Sequence, residues 1–385
     1  MGTRRKQKTN TTMRTEYRNP LRLAFAIAFL LLPIFTDVGC QHVGPGTIVD
    51  DRLAYNNSIV TSWEQQALLN IVRARYDDLV GFVNVDSMAQ THTLTGTTQG
   101  TFSASILPWN RVMNTLMPSL MGTRTTTDSP LITYTPQTNS DFIRNLNVPI
   151  KPVEIFSTLI ESNYNADALL NLTLYSVNDI NNVLPNSRDN LPLRNNVFRS
   201  LTRAIECAHI HGDLSFYTQA VSGTDTPKVF LMISDRDSKP CQSRELLFYP
   251  QLDPSTYSSS PVEFIRETLH LRAAANQFEI VAATRPMHED EIAVRTRSVI
   301  AAIRWLSNYV EPTLLIDKSD PPLIVKSDTG KPRQAFSAVR YRSNWYWIPQ
   351  GHTNSQFSLI YLRTLLALAD TSAKPSPPIL TIPTR

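Results

Sequence analysis

The chain has 385 residues, of which 42% are hydrophobic and 18% are charged, and its formal net charge is +4. This composition excludes an intrinsically disordered chain, the three cysteines exclude a disulfide-rich miniprotein, and the 12 glycines disfavour glycine-rich phosphate loops. A length well above ~150 residues indicates two domains or one large one.

The first forty residues have the pattern of a secretory signal. Seven Lys and Arg side chains within residues 1–22 precede an uncharged apolar run at 23–35, which is shorter than the ~20 residues that span a bilayer. We therefore predict a signal peptide over residues 1–39. Its removal changes the net charge from +4 to −1. The nearly neutral mature chain lacks the basic footprint of a protein that binds nucleic acid.

The end of this segment, Val38-Gly39-Cys40, resembles the bacterial lipobox, after which a signal peptidase cuts before a lipid-bearing cysteine. The resemblance implies that Cys40 becomes the first residue and carries acyl chains on its sulfur and its amino group. Asp37 departs from the motif, which normally has an apolar residue there. Gln41, in place of the aspartate typical of inner-membrane retention, favours the periplasmic face of the outer membrane, and the inner membrane is the alternative. The alternative is an ordinary signal peptide followed by a coincidental cysteine.

The mature chain shows helix and strand patterns in irregular alternation. After a tether at 40–60, we expect a helix at 62–76, strands at 78–86, 91–106 and 131–134, and helices at 140–146 and 152–162. A strand at 169–176, a helix at 193–210 and strands at 228–233, 245–249 and 277–284 follow. The last elements are a helix at 289–310, a hairpin at 336–348 and a helix at 355–369. We place a hairpin turn at Gln99-Gly100. Without regular βαβ alternation, the pattern predicts an α+β fold with mixed, mainly antiparallel sheets packed against amphipathic helices.

A polar stretch at 250–261 is the best candidate for a domain boundary. It separates an N-terminal α+β subdomain at 61–250 from a C-terminal α+β subdomain at 262–371. The segment at 372–385 is rich in proline, so we expect an extended tail.

The sequence contains no signature of a known catalytic or cofactor site, such as GxSxG, HExxH, a phosphate loop or CxxC. The densest group of possible metal ligands is Cys207, His209, His211 and Asp213. On a continuous helix the two histidines would point to opposite sides, so we prefer a helix C-terminus with favourable histidines and keep a metal site as the alternative. We therefore predict no catalytic residue, no metal and no cofactor.

Two cysteines remain after lipidation, Cys207 and Cys241. In the oxidising periplasm such a pair is a candidate for a disulfide, and two separate thiols are the alternative.

The sequence also contains an aromatic and basic cluster, with Tyr341, Trp345 and Trp347 beside Arg340 and Arg342. We prefer cross-strand pairing inside a hairpin as its role. Contact with a glycan, with peptidoglycan or with a protein is the alternative. Neighbours along a strand alternate between faces, so only part of the cluster can share one surface.

The start of the mature chain resembles a group of uncharacterised lipoproteins of Gram-negative bacteria. The resemblance is carried by Asp51-Arg52, Tyr55-Asn56, Ser62-Trp63, residues 68–73 and Arg75-Tyr76, and more weakly by residues 132–136 and 341–349. That group has no catalytic motif to transfer, so the resemblance implies a lipoprotein and no particular activity.

Together these observations predict a lipid-anchored envelope protein with a non-catalytic binding or assembly role in the periplasm. Its expected partners are the membrane, through the N-terminal lipid, and an envelope protein or peptidoglycan, with no nucleic acid. The alternatives are a periplasmic hydrolase or binding protein for peptidoglycan or glycan, and an accessory lipoprotein of an export system.

Overall fold

The structure is a computed structural model that describes residues 45–103, 117–162, 164–185, 192–221, 227–234, 260–312 and 321–370. The predicted signal peptide, Cys40, Cys241, the predicted strand at 245–249 and the predicted tail at 372–385 lie outside these residues. The chain divides into two compact units. One unit contains the chain up to Tyr55 together with Gln90–Ser129, and the other contains Asn56–Ala89 and the chain from Pro130 onward.

The N-terminal part of the described chain consists of one helix and two long strands. Helix α1 covers Pro45–Arg75, so it begins within the predicted tether, and strands β1 (Val83–Ser103) and β2 (Met117–Pro136) form a two-stranded sheet. The predicted turn at Gln99-Gly100 is wrong, because β1 continues through both residues. Threonines on both sides of this pair favour strand structure and outweigh one glycine. None of the described helices combines the length and the hydropathy that a membrane span requires.

The largest sheet of the second unit has six strands. Across the sheet these are β4 (Ile180–Asn181), β3 (Leu174–Val177), β10 (Glu291–Thr296), β9 (Gln277–Val281), β8 (Lys228–Ile233) and β7 (Leu214–Gln219). The neighbours β9 and β10 pair in parallel, and the other neighbouring strands are antiparallel. The sheet takes strands from both sides of residues 250–261, where the sequence analysis placed a boundary.

Two smaller sheets and seven helices complete the second unit as described. Strands β11 (Lys326–Asp328), β13 (Asn344–Ile348) and β12 (Ser337–Tyr341) form an antiparallel sheet in that order, and β5 (Val183–Pro185) pairs with β6 (Pro192–Arg194). The helices are α2 (Ser140–Asn147), the π-helix α3 (Glu154–Ile160), α4 (Ala166–Thr173), α5 (Asn196–Ile210), α6 (Pro261–Leu269), α7 (Val299–Ser307) and α8 (Thr353–Ala369). Their buried faces share one hydrophobic core with the last turns of α1.

The α+β prediction is confirmed, with antiparallel pairs in the majority. Two elements were assigned wrongly. Residues 166–173 form α4 in place of a strand at 169–176, because Asn165 caps a helix there by accepting a hydrogen bond from the Ala168 N–H. The predicted helix at 289–310 begins instead with β10, whose pairing with strands on both sides overrides the helix preference of its acidic start.

Glu206 of α5 is a buried carboxylate placed at the N-terminus of α4. It accepts hydrogen bonds from the backbone N–H groups of Ala166 and Asp167 and from Nδ2 of Asn165, which is 2.9 Å away. These two N–H groups belong to the first turn of α4, where backbone N–H groups have no hydrogen-bond acceptor inside the helix. Burial raises the pKa of Glu206 from 4.5 to about 7, and the charge of Asp167 adds to this effect, while the backbone hydrogen bonds oppose it.

We expect this pKa to make the free energy of unfolding fall as the pH rises from about 4.5 to about 8. The folded protein keeps the Glu206 proton up to about pH 7, whereas the unfolded chain releases it near 4.5. Rising pH through this window therefore favours the unfolded chain, and the loss is about 3 kcal/mol. Urea unfolding of the wild type and of Glu206→Gln across this range measures the effect, because glutamine does not titrate.

The exposed Glu267 offers a matched control for this measurement. Glu267→Gln should keep the pH dependence of the wild type. If the free energies of unfolding of Glu206→Gln and of the wild type change with pH in parallel between about pH 5 and pH 8, the raised pKa of Glu206 is wrong.

Candidate functional site

A large cavity, which we call the basic groove, lies beside the C-terminal part of α1. It has a volume of 1220 Å³ and is lined by α1, the segment 77–83, α2, α7 and the β12–β13 hairpin. Binding pockets for small molecules measure about 300–1000 Å³, so this cavity has room for a larger or an elongated ligand. Its floor is apolar and is formed by Leu69, Val80, Phe82, Phe142, Leu146, Ile303 and Val339.

Two side-chain amides of α1 hold the segment that forms one wall of the groove. Asn70 donates from Nδ2 to the Gly81 carbonyl at 2.8 Å and accepts from the Gly81 N–H at 3.0 Å. Gln66 makes the same double contact with the backbone of Val83, at 3.3 Å and 2.7 Å. Each side-chain amide therefore donates to the carbonyl and accepts from the N–H of one residue, as the backbone of a neighbouring strand would. The wall is fixed to the helix without regular secondary structure of its own.

The rim of the groove carries an excess of positive charge. Four cationic side chains line it, and the two carboxylates among the described lining residues are Asp77 and Asp78. Asp78 is already paired with Arg342 at 2.9 Å. The four cations are Arg73, Arg304, Lys331 and Arg340. An anion entering the groove would therefore meet a net attractive charge.

Apolar side chains are also exposed along this rim. Leu79 is 92% exposed and Ile143 is 50% exposed, and both line the groove. A ligand that covered these two side chains would remove their apolar surface from water.

The structure places the three aromatic residues that the sequence grouped together on two different faces of the hairpin. Trp345 lines the groove, and the Lys331 ammonium lies 5.5 Å from the centre of its ring. Trp347 lies two residues along the same strand and therefore on the same face, where it pairs with Lys326 and Ala338 across the sheet. Tyr341 lies on the opposite face.

Tyr341 belongs to a cluster that joins the hairpin to the end of α1. Its ring stacks on Tyr76 at 5.7 Å, and the Tyr76 hydroxyl lies 2.6 Å from that of the buried Tyr346. The Arg342 guanidinium lies 5.0 Å from the centre of the Tyr76 ring and 5.2 Å from that of Tyr341. These contacts fix the hairpin wall of the groove relative to the helix wall.

A second cavity, which we call the arginine cavity, adjoins the basic groove. It has a volume of 500 Å³ and shares Ala74, Asp77 and Arg304 with the groove as lining residues. Four arginines from three elements line it, namely Arg75 of α1, Arg295 and Arg297 at the end of β10, and Arg304 of α7. No sequence pattern pointed to this group, because its members are separated by as many as 229 positions (75 to 304).

Arg297 is the most buried of these arginines, with 2% of its surface exposed. Its Nη1 donates to the carbonyls of Asn171 and Leu172 at 2.8 and 3.0 Å, which caps the end of α4. Its guanidinium lies 4.9 Å from the ring centres of both Tyr175 and Trp305. Burial lowers the pKa of Arg297 to about 10, so it remains charged at neutral pH.

The group predicted as possible metal ligands adopts another arrangement. Helix α5 ends at Ile210, His209 pairs with Glu161 at 3.5 Å, and the Nδ1 of His211 lies 3.8 Å from the sulfur of Cys207. Among the residues that the structure describes, no three His, Cys, Asp or Glu side chains are placed to hold a metal ion.

Cys207 is disulfide-bonded. The other two cysteines, Cys40 and Cys241, both lie outside the described residues. Pairing of Cys207 with Cys241 therefore stays a prediction.

Comparison of the chain with models of protein families, with curated proteins and with solved structures finds no match. The two cavities and the residues around them are therefore the basis for assigning a function.

Proposed function

We propose that this protein is a lipid-anchored protein of the cell envelope that binds an amphipathic anion in the basic groove without changing it chemically. The observation that carries the proposal is the composition of the groove, which has an apolar floor below a rim with four cationic side chains. A long-chain carboxylate has the complementary composition, with an apolar body and one anionic end.

The size and burial of the floor suit an acyl chain. Phe82, Phe142 and Ile303 are buried and supply aromatic and aliphatic surface at the base of the groove. Covering apolar surface contributes about 25 cal/mol per Å². An acyl chain that also covered Leu79 and Ile143 would remove two exposed apolar side chains from water.

The polar groups of the groove suit binding better than hydrolysis. The described residues that line it include no histidine, cysteine or glutamate. Asp77 and Asp78 are adjacent along the chain, and Asp78 is paired with Arg342. Acid–base catalysis needs two groups that converge on one reacting bond, and this pair does not provide them.

The proposed location follows from the lipobox-like sequence before Cys40. Two or more acyl chains on that residue would hold the protein stably at a membrane surface, where one chain would bind only marginally. At the periplasmic face of the outer membrane, amphipathic anions are the class of ligand that the surroundings supply. The location and the ligand class are therefore consistent with each other.

Trp345 is the observation that favours the glycan alternative, because sugars stack on exposed aromatic rings. However, the Lys331 ammonium already lies over this ring at 5.5 Å. An ammonium in that position leaves less of the ring free for a sugar and adds to the positive charge at the rim. The groove therefore favours the amphipathic anion.

We expect native mass spectrometry of the full mature chain, released from detergent, to show one bound 18-carbon fatty acid per chain. The double variant Lys331→Glu with Arg340→Glu should bind it at least about tenfold more weakly, because two attractive charges at the rim become repulsive. A matched control is Lys151→Glu with Arg333→Glu, which makes the same charge change at exposed positions outside the groove.

Two outcomes would contradict the proposed ligand. One is equal binding of the fatty acid by the wild type and the groove variant. The other is binding of a soluble peptidoglycan fragment in place of the fatty acid, with loss of that binding on Trp345→Ala, which would establish the glycan alternative.

A further inference from the structure

We propose that the arginine cavity is a second binding site, distinct from the basic groove, and that it takes a phosphate group. The cavity has a volume of 500 Å³ and is lined by four guanidinium side chains. Asp77 is the single acidic residue among the described residues that line it. This excess of positive charge belongs to one small cavity in a mature chain whose net charge is −1.

None of the four arginines is neutralised by a carboxylate of the described chain. Arg75, Arg295, Arg297 and Arg304 form none of its salt bridges, although Asp77 lines the same cavity. Like charges gathered at one place repel each other and destabilise the folded state. An anion in the cavity would remove this cost, which is the physical argument for a ligand.

Three of the four arginines make contacts that hold them before any ligand arrives. Arg297 is held by hydrogen bonds to two carbonyls and by contacts with two aromatic rings. The Arg295 guanidinium lies 5.7 Å from the centre of the Tyr175 ring. The Nη2 of Arg75 donates to the Pro312 carbonyl at 3.0 Å, while its Nε is buried without a hydrogen-bond partner. Donors that are already ordered lose little conformational entropy on binding, so a small ligand can bind with useful affinity.

The backbone also contributes to the geometry of this cavity. The pairing of β10 with β3 shifts register between Arg295 and Thr296, where β3 has one extra residue, Tyr175. A register shift of this kind redirects the side chains next to it. Here the extra residue is Tyr175, whose ring lies against the guanidinium groups of Arg295 and Arg297.

Phosphate is the ligand class that fits this arrangement best. The planar guanidinium group donates paired hydrogen bonds to oxyanions, and a phosphate offers more oxygens and more charge than a carboxylate. Four arginines exceed what one carboxylate could neutralise. The phosphate could belong to a lipid headgroup or be free in solution, and both sources present the same group to the arginines.

The test measures thermal unfolding of the full mature chain in detergent with increasing inorganic phosphate, against sodium chloride at equal ionic strength. A ligand that binds the folded state raises the unfolding midpoint as its concentration increases. We expect phosphate to raise the midpoint of the wild type and of Arg333→Gln, an exposed arginine outside both cavities. Arg295→Gln and Arg75→Gln should bind phosphate at least about tenfold more weakly.

A parallel titration with glycerophosphoglycerol, a lipid headgroup without acyl chains, identifies the source. Tighter binding of this compound than of inorganic phosphate assigns the site to a lipid headgroup, and the reverse order assigns it to free phosphate. Neither ligand has an apolar body and neither Arg295 nor Arg75 lines the basic groove, so failure of the proposed function leaves this test intact.

A purely structural role for Arg295 predicts a different result. It would lower the midpoint of Arg295→Gln without phosphate and leave the increase caused by phosphate unchanged. That result would overturn the proposal, as would a wild-type midpoint that rises equally in phosphate and in chloride. We expect instead that Arg295→Gln is at least as stable as the wild type without phosphate, because one repelling charge is gone.

Discussion

Replacing Cys40 by alanine is expected to abolish incorporation of an alkyne-tagged palmitate and to release the protein from the membrane fraction. The lipobox-like sequence predicts that this cysteine carries the acyl chains. None of the described helices is suited to cross a membrane. In our proposal, membrane attachment of the mature chain depends on the lipid, so the change should be close to all or none. Palmitate labelling followed by membrane fractionation measures both effects.

The chain provides a matched control for this experiment. Cys241→Ala removes a cysteine that the lipobox does not involve, so this variant should keep both the label and the membrane attachment. If the Cys40→Ala chain remains labelled, it does not carry its lipid on Cys40. If it loses the label but stays in the membrane because the signal peptide is uncut, it should migrate as a chain longer by the predicted 39 residues.

The parts of the fold that the sequence predicted are those set by local patterns. Helix α5 shows the apolar stripe of an amphipathic helix and is capped by Asn195, whose side chain accepts from the Val197 N–H. Strand β8 alternates buried and outward residues and was predicted with its observed bounds. The β12–β13 hairpin follows from its aromatic and β-branched residues.

The elements that were predicted wrongly depend on contacts that are distant in the chain. The acidic start at 289–291 is typical of a helix, but β10 lies between β3 and β9 and pairs with both. Residues 166–173 form a short apolar run that fits a strand or a helix equally well. The helix is favoured by Glu206, which lies 40 residues away from Ala166 and accepts hydrogen bonds from the N–H groups at the start of α4.

The candidate sites were still less accessible from the sequence. The sequence grouped Trp345 with Arg340, and both line the basic groove. The other three cations come from α1, α7 and the segment before the hairpin, which no sequence pattern connected with them. The Arg75 side chain meets the Pro312 carbonyl across 237 positions. An arginine on a polar helix face has the same local pattern whether it faces solvent or a cavity, so only the tertiary structure distinguishes the two.

Replacing Arg297 by alanine is expected to lower the free energy of unfolding by about 2 to 4 kcal/mol. The variant loses two charge-assisted hydrogen bonds to carbonyls in the last turn of α4, and the Asn171 carbonyl keeps only its hydrogen bond from Nδ2 of Asn182. It also removes the side chain between Tyr175 and Trp305. Relief of the buried charge offsets only part of this loss. Urea unfolding at neutral pH, with the disulfide intact, measures the difference from the wild type.

Two further variants separate the causes of this loss. Arg297→Lys keeps the charge but lacks the planar group that stacks between the rings and reaches both carbonyls, so its stability should lie between those of the wild type and Arg297→Ala. Arg333→Ala, at an exposed arginine, should change the free energy of unfolding by less than about 0.5 kcal/mol. If Arg297→Lys is as stable as the wild type, charge alone is sufficient, and the guanidinium geometry does not hold the end of α4.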